Sequence, residues 1–463
     1  MSVQPFALTA GEMARAFGGA LVGGDAGVPL PTVSIDTRTV APGDLFVAIV
    51  GPRFDGHAFV ADAIARGAAA VVVSEASAVA ASPVPAIVVD DTLRGLQDAA
   101  RAIRRRAGST VVAITGSAGK TTTKEITATL LARRFTTFRN RGNLNNHIGL
   151  PLSLFELHTA PQFAVMELGM SGFGEIRRLV ELAEPRYRVW TNVGEAHLGF
   201  FASVEDIAVA KQEILEGAGP DDVFVANAGD PRVAARVAGF PGRVVSFGVD
   251  VPADVAVSDV RARGFAGSAA TLSLLGERRS IETRLLGAAN LANIAAGAAV
   301  GLTAGLSADD IVAGIADLAP AAHRGEVVKA PGGWVVIDDA YNSSPSALTR
   351  ALETLASTPG RHLAVLGEML ELGEFSEGYH AACGRSAAEL GMAAIVAVGG
   401  APARALAEAA RAAGAPVVHH VADSTAAADL ARTLVREGDA VLVKGSRGIR
   451  MEVVVQALTE GGR

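Results

Sequence analysis

The stretch Val111-Val112-Ala113-Ile114-Thr115-Gly116-Ser117-Ala118-Gly119-Lys120-Thr121-Thr122-Thr123 decides how this chain is read. An uncharged, β-branched run ends in a glycine turn, and a lysine with three threonines comes next. That order predicts a buried strand, a tight turn and a helix whose free amides and dipole favour phosphate. Lys120 is placed to reach the terminal phosphates of a nucleotide, and the Thr121 hydroxyl to hold Mg²⁺. The usual pattern has glycine where this chain has Ile114, so the reading rests on strand, turn, helix and triple threonine together.

Outward from this stretch the chain alternates strands and helices. Before it, Leu45–Ile49, Ala70–Val73 and Ile87–Val89 read as strands, with helices near Phe59–Arg66 and Thr92–Arg106. The basic run Arg101–Arg106 reads as a solvated helix end and a boundary. After it come strands at Phe163–Glu167 and Val189–Thr191 and a helix over Val204–Leu215. Shorter β-rich stretches lie at Val223–Ala226 and Val244–Phe247, then a helix containing Asn290. Pro320 interrupts the pattern within Leu318–Arg324. Beyond it, strands at Trp334–Ile337, Leu363–Leu366, Ile395–Val398, Val417–His420 and Val441–Val443 each precede a helical segment. Such alternation argues for parallel sheets covered on both faces. The expected fold is α/β in three domains, 1–106, 107–320 and 321–463. The middle one holds a P-loop-type mononucleotide-binding sheet, and the last a Rossmann-like parallel sheet.

With 463 residues, half of them hydrophobic and 19% charged, the chain supports several cores and excludes a disordered polymer. A net charge of −7 gives no footprint for nucleic acid. One cysteine, Cys383, excludes an internal disulfide and fits a reducing compartment. The start, MSVQPFALTAGEMARAFGG, lacks the basic-then-apolar order of a signal peptide. Leu285–Ala308 is uncharged and long enough to span a bilayer, but its asparagines, glycines and alanines favour a buried helix. A soluble, cytoplasmic protein without membrane insertion is expected.

Only five lysines stand against thirty-six arginines. In such a chain a lysine is expected where a compact ammonium or a deprotonable amine is needed. Glu167 closes one strand and His197 follows another, and in parallel sheets ligands collect beyond the carboxyl ends of strands. Lys211, in mid-helix, would ordinarily be exposed.

Gly-Lys-Thr-Thr-Thr, the Glu167 strand, Asn192–His197 and Ala210-Lys211-x-Glu213-Ile214 together resemble the Mur ligase family, ATP-dependent amide-forming enzymes of peptidoglycan synthesis. Ser34-Ile35-Asp36-Thr37-Arg38, Asp55-Gly56-His57, Gly142–Pro151, Asp338–Asn342, Val365–Gly373 and Val443–Arg447 resemble the branch that adds a D-alanyl-D-alanine dipeptide.

The resemblance implies ATP and Mg²⁺ as cofactors, and UDP-N-acetylmuramoyl-tripeptide and D-alanyl-D-alanine as partners of a monomer. It implies that Gly116, Ser117, Ala118, Gly119, Lys120, Thr121 and Thr122 bind the ATP phosphates. Thr121 and Glu167 would hold one Mg²⁺ and His197 a second, with Lys211 carbamylated into an anionic metal ligand. Asn290 would contact adenine, Arg324 the ATP phosphates, and Asp339 the ribose, with Asn342 nearby. Thr37, Arg38, Asn143, Asn145 and Asn146 would contact the nucleotide peptide, and Lys444, Ser446 and Arg447 the incoming dipeptide. Lys120, Lys211, His197 and Arg324 are the catalytic set.

Two positions depart from the family, Ala289 where it has histidine and Ser171 where it has asparagine. The implied chemistry is phosphorylation of a carboxylate and capture of the acyl phosphate by an amine. Alternatives are the ligase adding the third residue, lysine or diaminopimelate, a folylpolyglutamate-synthetase-like ligase, and a non-ligase P-loop ATPase.

Overall fold

A computed structural model describes residues 5–51, 54–79 and 82–460. Residues 1–4 of the amino-terminal stretch, 52–53 and 80–81 of the expected first domain, and 461–463 of the expected last one lie outside the described residues. The chain divides into two compact units. The first is Met1–Ala113 with Arg134–Arg188 and Glu216–Asp222; the second is Ile114–Arg133, Val189–Leu215 and Val223–Arg463.

Three sheets carry the architecture. The amino-terminal one has five strands in the order Ala20–Val22, Ala86–Val88, Ala70–Val73, Leu45–Val47, Val33–Ser34. Its last three pairings are parallel, and only Ala20–Val22 runs antiparallel to its neighbour. Leu45, Phe46, Val47 and Val71–Val73 are buried, as uncharged runs in a sheet covered on both faces should be.

The largest sheet has nine strands, beginning Thr137–Arg139, Phe163–Glu167, Thr110–Thr115, Tyr187–Trp190, Val223–Asn227, Arg243–Val249. It continues into Val255–Ala262, Ser268–Leu274 and Glu277–Thr283, which form a three-stranded antiparallel meander. The alternating burial along Ser268–Leu274 marks one face toward the core and one toward solvent, a pattern unlike the uncharged runs of the parallel strands. The third sheet holds Val335–Asp339, Asp439–Lys444, Arg361–Gly367, Ala394–Val398 and Val418–Val421 in parallel, with Glu326–Lys329 added antiparallel at one edge. The fold is therefore α/β as expected, with antiparallel additions to each sheet.

One expectation needs correction, because the Arg101–Arg106 run is not simply solvated. Helix Thr92–Ala107 starts on an Asp91 cap and stops at Gly108, whose φ of 65° suits glycine. At its end Arg104 donates to the carbonyls of Ala183 and Glu184 at 2.7 Å each, closing the C-terminus of helix Glu175–Ala183. Arg101 and Arg105 both pair with the Glu184 carboxylate, and burial lowers the Arg104 pKa. The Leu285–Ala308 stretch forms helix Gly287–Thr303, with Leu291 and Asn293–Gly301 buried in the protein. Among the described residues no helix is long and apolar enough to cross a membrane.

Candidate active site

In the second unit the strand ending at Thr115 turns at Gly116 and enters helix Lys120–Leu131 through Gly119, with φ of 80°. A methyl group on Gly119 would lie 2.4 Å from Asn293 Oδ1, and one on Gly116 1.9 Å from Thr191 Oγ1. Both glycines are therefore dictated by close approach as well as by backbone sign. The turn is held from the next strand. Ser117 N donates to Asn192 O, Ala118 N to Asn192 Oδ1, and Thr191 Oγ1 to Ala118 O at 2.7 Å. Gly194 N donates to Ser117 Oγ at 2.8 Å, and Asp230 accepts from Val193 N. Lys120 Nζ folds back onto Gly116 O at 2.8 Å, across the mouth of the turn. This is a rigid cradle with a cation and a helix N-terminus, the chemistry that suits a polyphosphate.

Lys211 is the unexpected member, because it is not the exposed helix residue its position suggests. It is 1% exposed, in helix Val204–Gln212 on the same face as Ile207 and Ala208. Burial pushes its pKa well below the usual lysine value, and the charge of Lys120 adds to the effect. A neutral amine in this place is nucleophilic toward CO₂, as a protonated one is not. Burial also lowers His197, aided by Lys120 and Lys211, although the Glu371 hydrogen bond pulls the other way. The lysine usage thus has a physical basis. Lys124, Lys211 and Lys444 are buried and Lys120 is half-buried, and only Lys329 is an exposed strand residue.

The carboxyl ends of the third sheet supply the rest of the unit's site. His323 Nδ1 lies 2.6 Å from Asp338, and the guanidinium of Arg324 lies 4.1 Å from the centre of the Tyr341 ring. Arg447 reaches the same ring at 5.3 Å, so two cations share one aromatic platform. Lys444 is buried, donating to Asp339 at 2.5 Å and to Asn342 O at 2.9 Å. Ser446 Oγ accepts from Leu370 N, and Asn342 is exposed. Asn290, in the first turn of its helix, donates to Leu286 O, while Asn293 is bound to Thr123 and faces Gly119.

The first unit holds the remaining residues. Glu167 is buried at a strand end, with Asn145 Nδ2 donating to its carboxylate at 2.8 Å and Asn140 bonded to its backbone. Asn146 Oδ1 accepts from Gly149 N at the start of helix Gly149–Phe155, and Asn143 is exposed. Thr37 and Arg38 lie on the turn after Val33–Ser34. The Arg38 side chain, 85% exposed, pairs with Asp36 and thereby lowers that carboxyl to about 2.

Sequence reading singled out neither Asn293 nor Asp230, and it quoted Asn192 and Glu371 only inside the segments 192–197 and 365–373, with no role of their own. Asn293 and Asp230 bind neighbours and backbone far away in sequence, so spacing alone gives no signal for them. Glu371 meets its partner His197 across 174 residues of chain, a separation that no local pattern records.

Among the described residues no group of three or more His, Cys, Asp or Glu side chains could hold a metal. Mg²⁺ does not require one, since it keeps several waters and binds one or two protein oxygens with substrate phosphates. The donor chemistry here fits that habit. Thr121 sits at the second position of helix Lys120–Leu131, and burial and the charge of Lys120 lower the pKa of the Lys211 amine.

Comparison with known proteins agrees along the chain. A model of the Mur ligase middle domain matches residues 114–301, one of the Mur ligase glutamate ligase domain 323–447, and one of the Mur ligase family catalytic domain 30–104. The UDP-N-acetylmuramoyl-tripeptide--D-alanyl-D-alanine ligase of Escherichia coli (strain K12) is 34% identical over 98% of this chain and 99% of its own. A crystal structure of MurF from Acinetobacter baumannii matches with a TM-score of 0.89 at 31% identity, covering 99% of this chain and 100% of that one. MurF from Thermotoga maritima, solved in complex with ADP, gives 0.83 at 30% identity, covering 92% of this chain and 96% of that one.

Proposed function

Because this chain belongs to the Mur ligase family, we propose that it joins D-alanyl-D-alanine to UDP-N-acetylmuramoyl-tripeptide at the expense of ATP. The product is the pentapeptide precursor of peptidoglycan, with ADP and phosphate released. The observation that carries this reading is the end-to-end similarity to a ligase of that name, 98% of one chain against 99% of the other. Peptidoglycan synthesis sets cell shape and division, and the proposed substrates and ATP favour a cytoplasmic enzyme. A monomer is the proposed working state.

The roles divide among the three stretches 1–106, 107–320 and 321–463. The first binds the nucleotide peptide through Thr37 and Arg38, joined by Asn143, Asn145 and Asn146 of the second. The second binds ATP through Gly116–Thr122 and Asn290, and the third closes over it with Arg324, Asp339 and Asn342. Lys444, Ser446 and Arg447 serve the dipeptide side. A carboxylate does not react with an amine at neutral pH without activation. Phosphoryl transfer to it is therefore the first step, and it asks for charge neutralisation and alignment. Lys120 and Arg324 supply both. The resulting acyl phosphate is attacked by the dipeptide amine, and phosphate leaves from a tetrahedral intermediate. Thr121, Glu167, His197 and a carbamylated Lys211 would hold Mg²⁺, which when bound neutralises phosphate charge. The buried setting of Lys211 supports the carbamate, because an amine lowered by burial is free to take up CO₂.

The direct test is a product assay with the purified full chain, ATP and D-alanyl-D-alanine, offered UDP-N-acetylmuramoyl tripeptides carrying lysine or diaminopimelate. Pentapeptide should form, with one phosphate released for each. Phosphate release without any acceptor, or acceptance of a free amino acid onto a dipeptide nucleotide instead, would refute the reading.

Arg38 gives a second, local prediction. Its exposed guanidinium, already held by Asp36, presents a fork suited to a diphosphate or carboxylate. Arg38→Ala should raise the KM for the nucleotide tripeptide about tenfold, the scale of one charge-assisted contact, and leave the KM for ATP unchanged. Steady-state kinetics with each substrate varied in turn decides it, and the reverse pattern would sink the assignment of the first domain.

A further inference from the structure

We propose that Glu371 is a positioning residue that prepares the His197 imidazole to hold a cation. The inference rests on the proposed role of His197 as a metal-binding residue. His197 Nδ1 and Glu371 Oε2 lie 2.5 Å apart. An ionised carboxylate only accepts hydrogen bonds, so Nδ1 carries the proton and Nε2 presents its lone pair away from Glu371. That division of roles is how carboxylates generally orient metal-binding imidazoles and fix their tautomer.

The backbone shows that this contact is built rather than incidental. His197 has a φ of 69° and Glu371 a φ of 65°, a region that residues with a side chain rarely enter. Two such residues bonded to each other mark a conformation imposed by the surroundings. The surroundings impose it through glycine. Gly199 N donates to Glu371 O at 2.7 Å, and a methyl group on Gly199 would fall 2.8 Å from Gly373 N. The two turns, His197–Phe200 and Glu371–Phe375, thus meet backbone to backbone within the second unit.

The elements that bear them give the contact its use. His197 ends the segment that braces the phosphate turn, where Gly194 N bonds Ser117 Oγ. Glu371 follows strand Arg361–Gly367 of the third sheet, on the same loop as Leu370, whose amide donates to Ser446. Docking of the loop that lies beside the dipeptide-side residues therefore orients a residue of the ATP side. The imidazole is in its working tautomer when the Glu371 turn is in place, and free to rotate when it is not.

The test uses the full chain with ADP and Mn²⁺ as the probe cation, free Mn²⁺ being read by electron paramagnetic resonance. Glu371→Asn suits the left-handed backbone but cannot span to Nδ1, so its effect is not one of backbone strain. Glu371→Gln keeps an acceptor within reach. Asn should weaken Mn²⁺ binding about 10–100-fold, the range for loss of such a partner, and Gln by less. In a His197→Ala background, Glu371→Asn should add nothing further, because the two act as one unit. Wild-type Mn²⁺ affinity in Glu371→Asn, or a loss that adds in full to that of His197→Ala, would overturn the proposal. If His197→Ala alone leaves Mn²⁺ binding intact, the reading of His197 itself fails. If His197→Ala weakens binding and Glu371→Asn does not, only the positioning role fails.

Discussion

Lys211→Arg is expected to lose ligation by ~10³-fold or more, the upper range for removing one preorganised charge-stabilising group. A guanidinium stays protonated at every accessible pH, so it cannot take up CO₂ and would bring a fixed positive charge beside Lys120. The place is 1% exposed, so an unpaired permanent cation there should also cost roughly 3–5 kcal/mol of stability. Lys211→Met separates the two effects, since it fills the buried site without charge. It should melt close to the wild type and still be inactive. In Lys211→Ala, acetate added to the assay should restore part of the activity by occupying the vacated place as an anion. Product formation and thermal melting of the three variants, with and without acetate, form the measurement. A Lys211→Arg enzyme that folds and turns over normally would end the carbamate assignment.

Lys120→Ala is the second large effect. The side chain lies across the phosphate turn and bonds Gly116 O, so a bound polyphosphate would draw it outward. Its charge matters most when the phosphoryl group is in flight, which predicts a loss in kcat of ~10²–10³-fold at saturating ATP. The melting temperature should shift little, because loss of a half-exposed hydrogen bond costs only about 1 kcal/mol. Unchanged turnover would remove the phosphate-binding assignment from this turn.

The glycine turn at 116–119 was legible because its signal is contiguous in sequence: an apolar strand, two glycines and a helix start. Lys211 was half legible. Its helical position suggests an exposed residue, yet Ile207 and Ile214 stand four before and three after it, which puts it on the buried face. Glu371 was legible only as part of the segment 365–373, and its pairing with His197 was not. Its role depends on a left-handed backbone and on a partner 174 residues away, and neither leaves a periodic trace. The antiparallel meander 255–283 escaped for the opposite reason. Arg278 and Arg279 on its outer strand dilute the apolar runs that mark parallel strands.

The grip of Arg101, Arg104 and Arg105 on Glu184 and its neighbouring carbonyls also has a consequence for how the chain is made. The first unit is assembled from three separated stretches, and its last, Glu216–Asp222, contains Asp222, the partner of the buried Arg188. Synthesis adds about 5–20 residues per second, so the arginines near residue 104 wait several seconds for Glu184 and longer for the closing segment. During that interval Arg101, Arg104 and Arg105 lack their partners, while Arg106 already has Glu12. Completion of the first unit is a late event, set by the ribosome's progress through the middle of the message rather than by the first hundred residues alone.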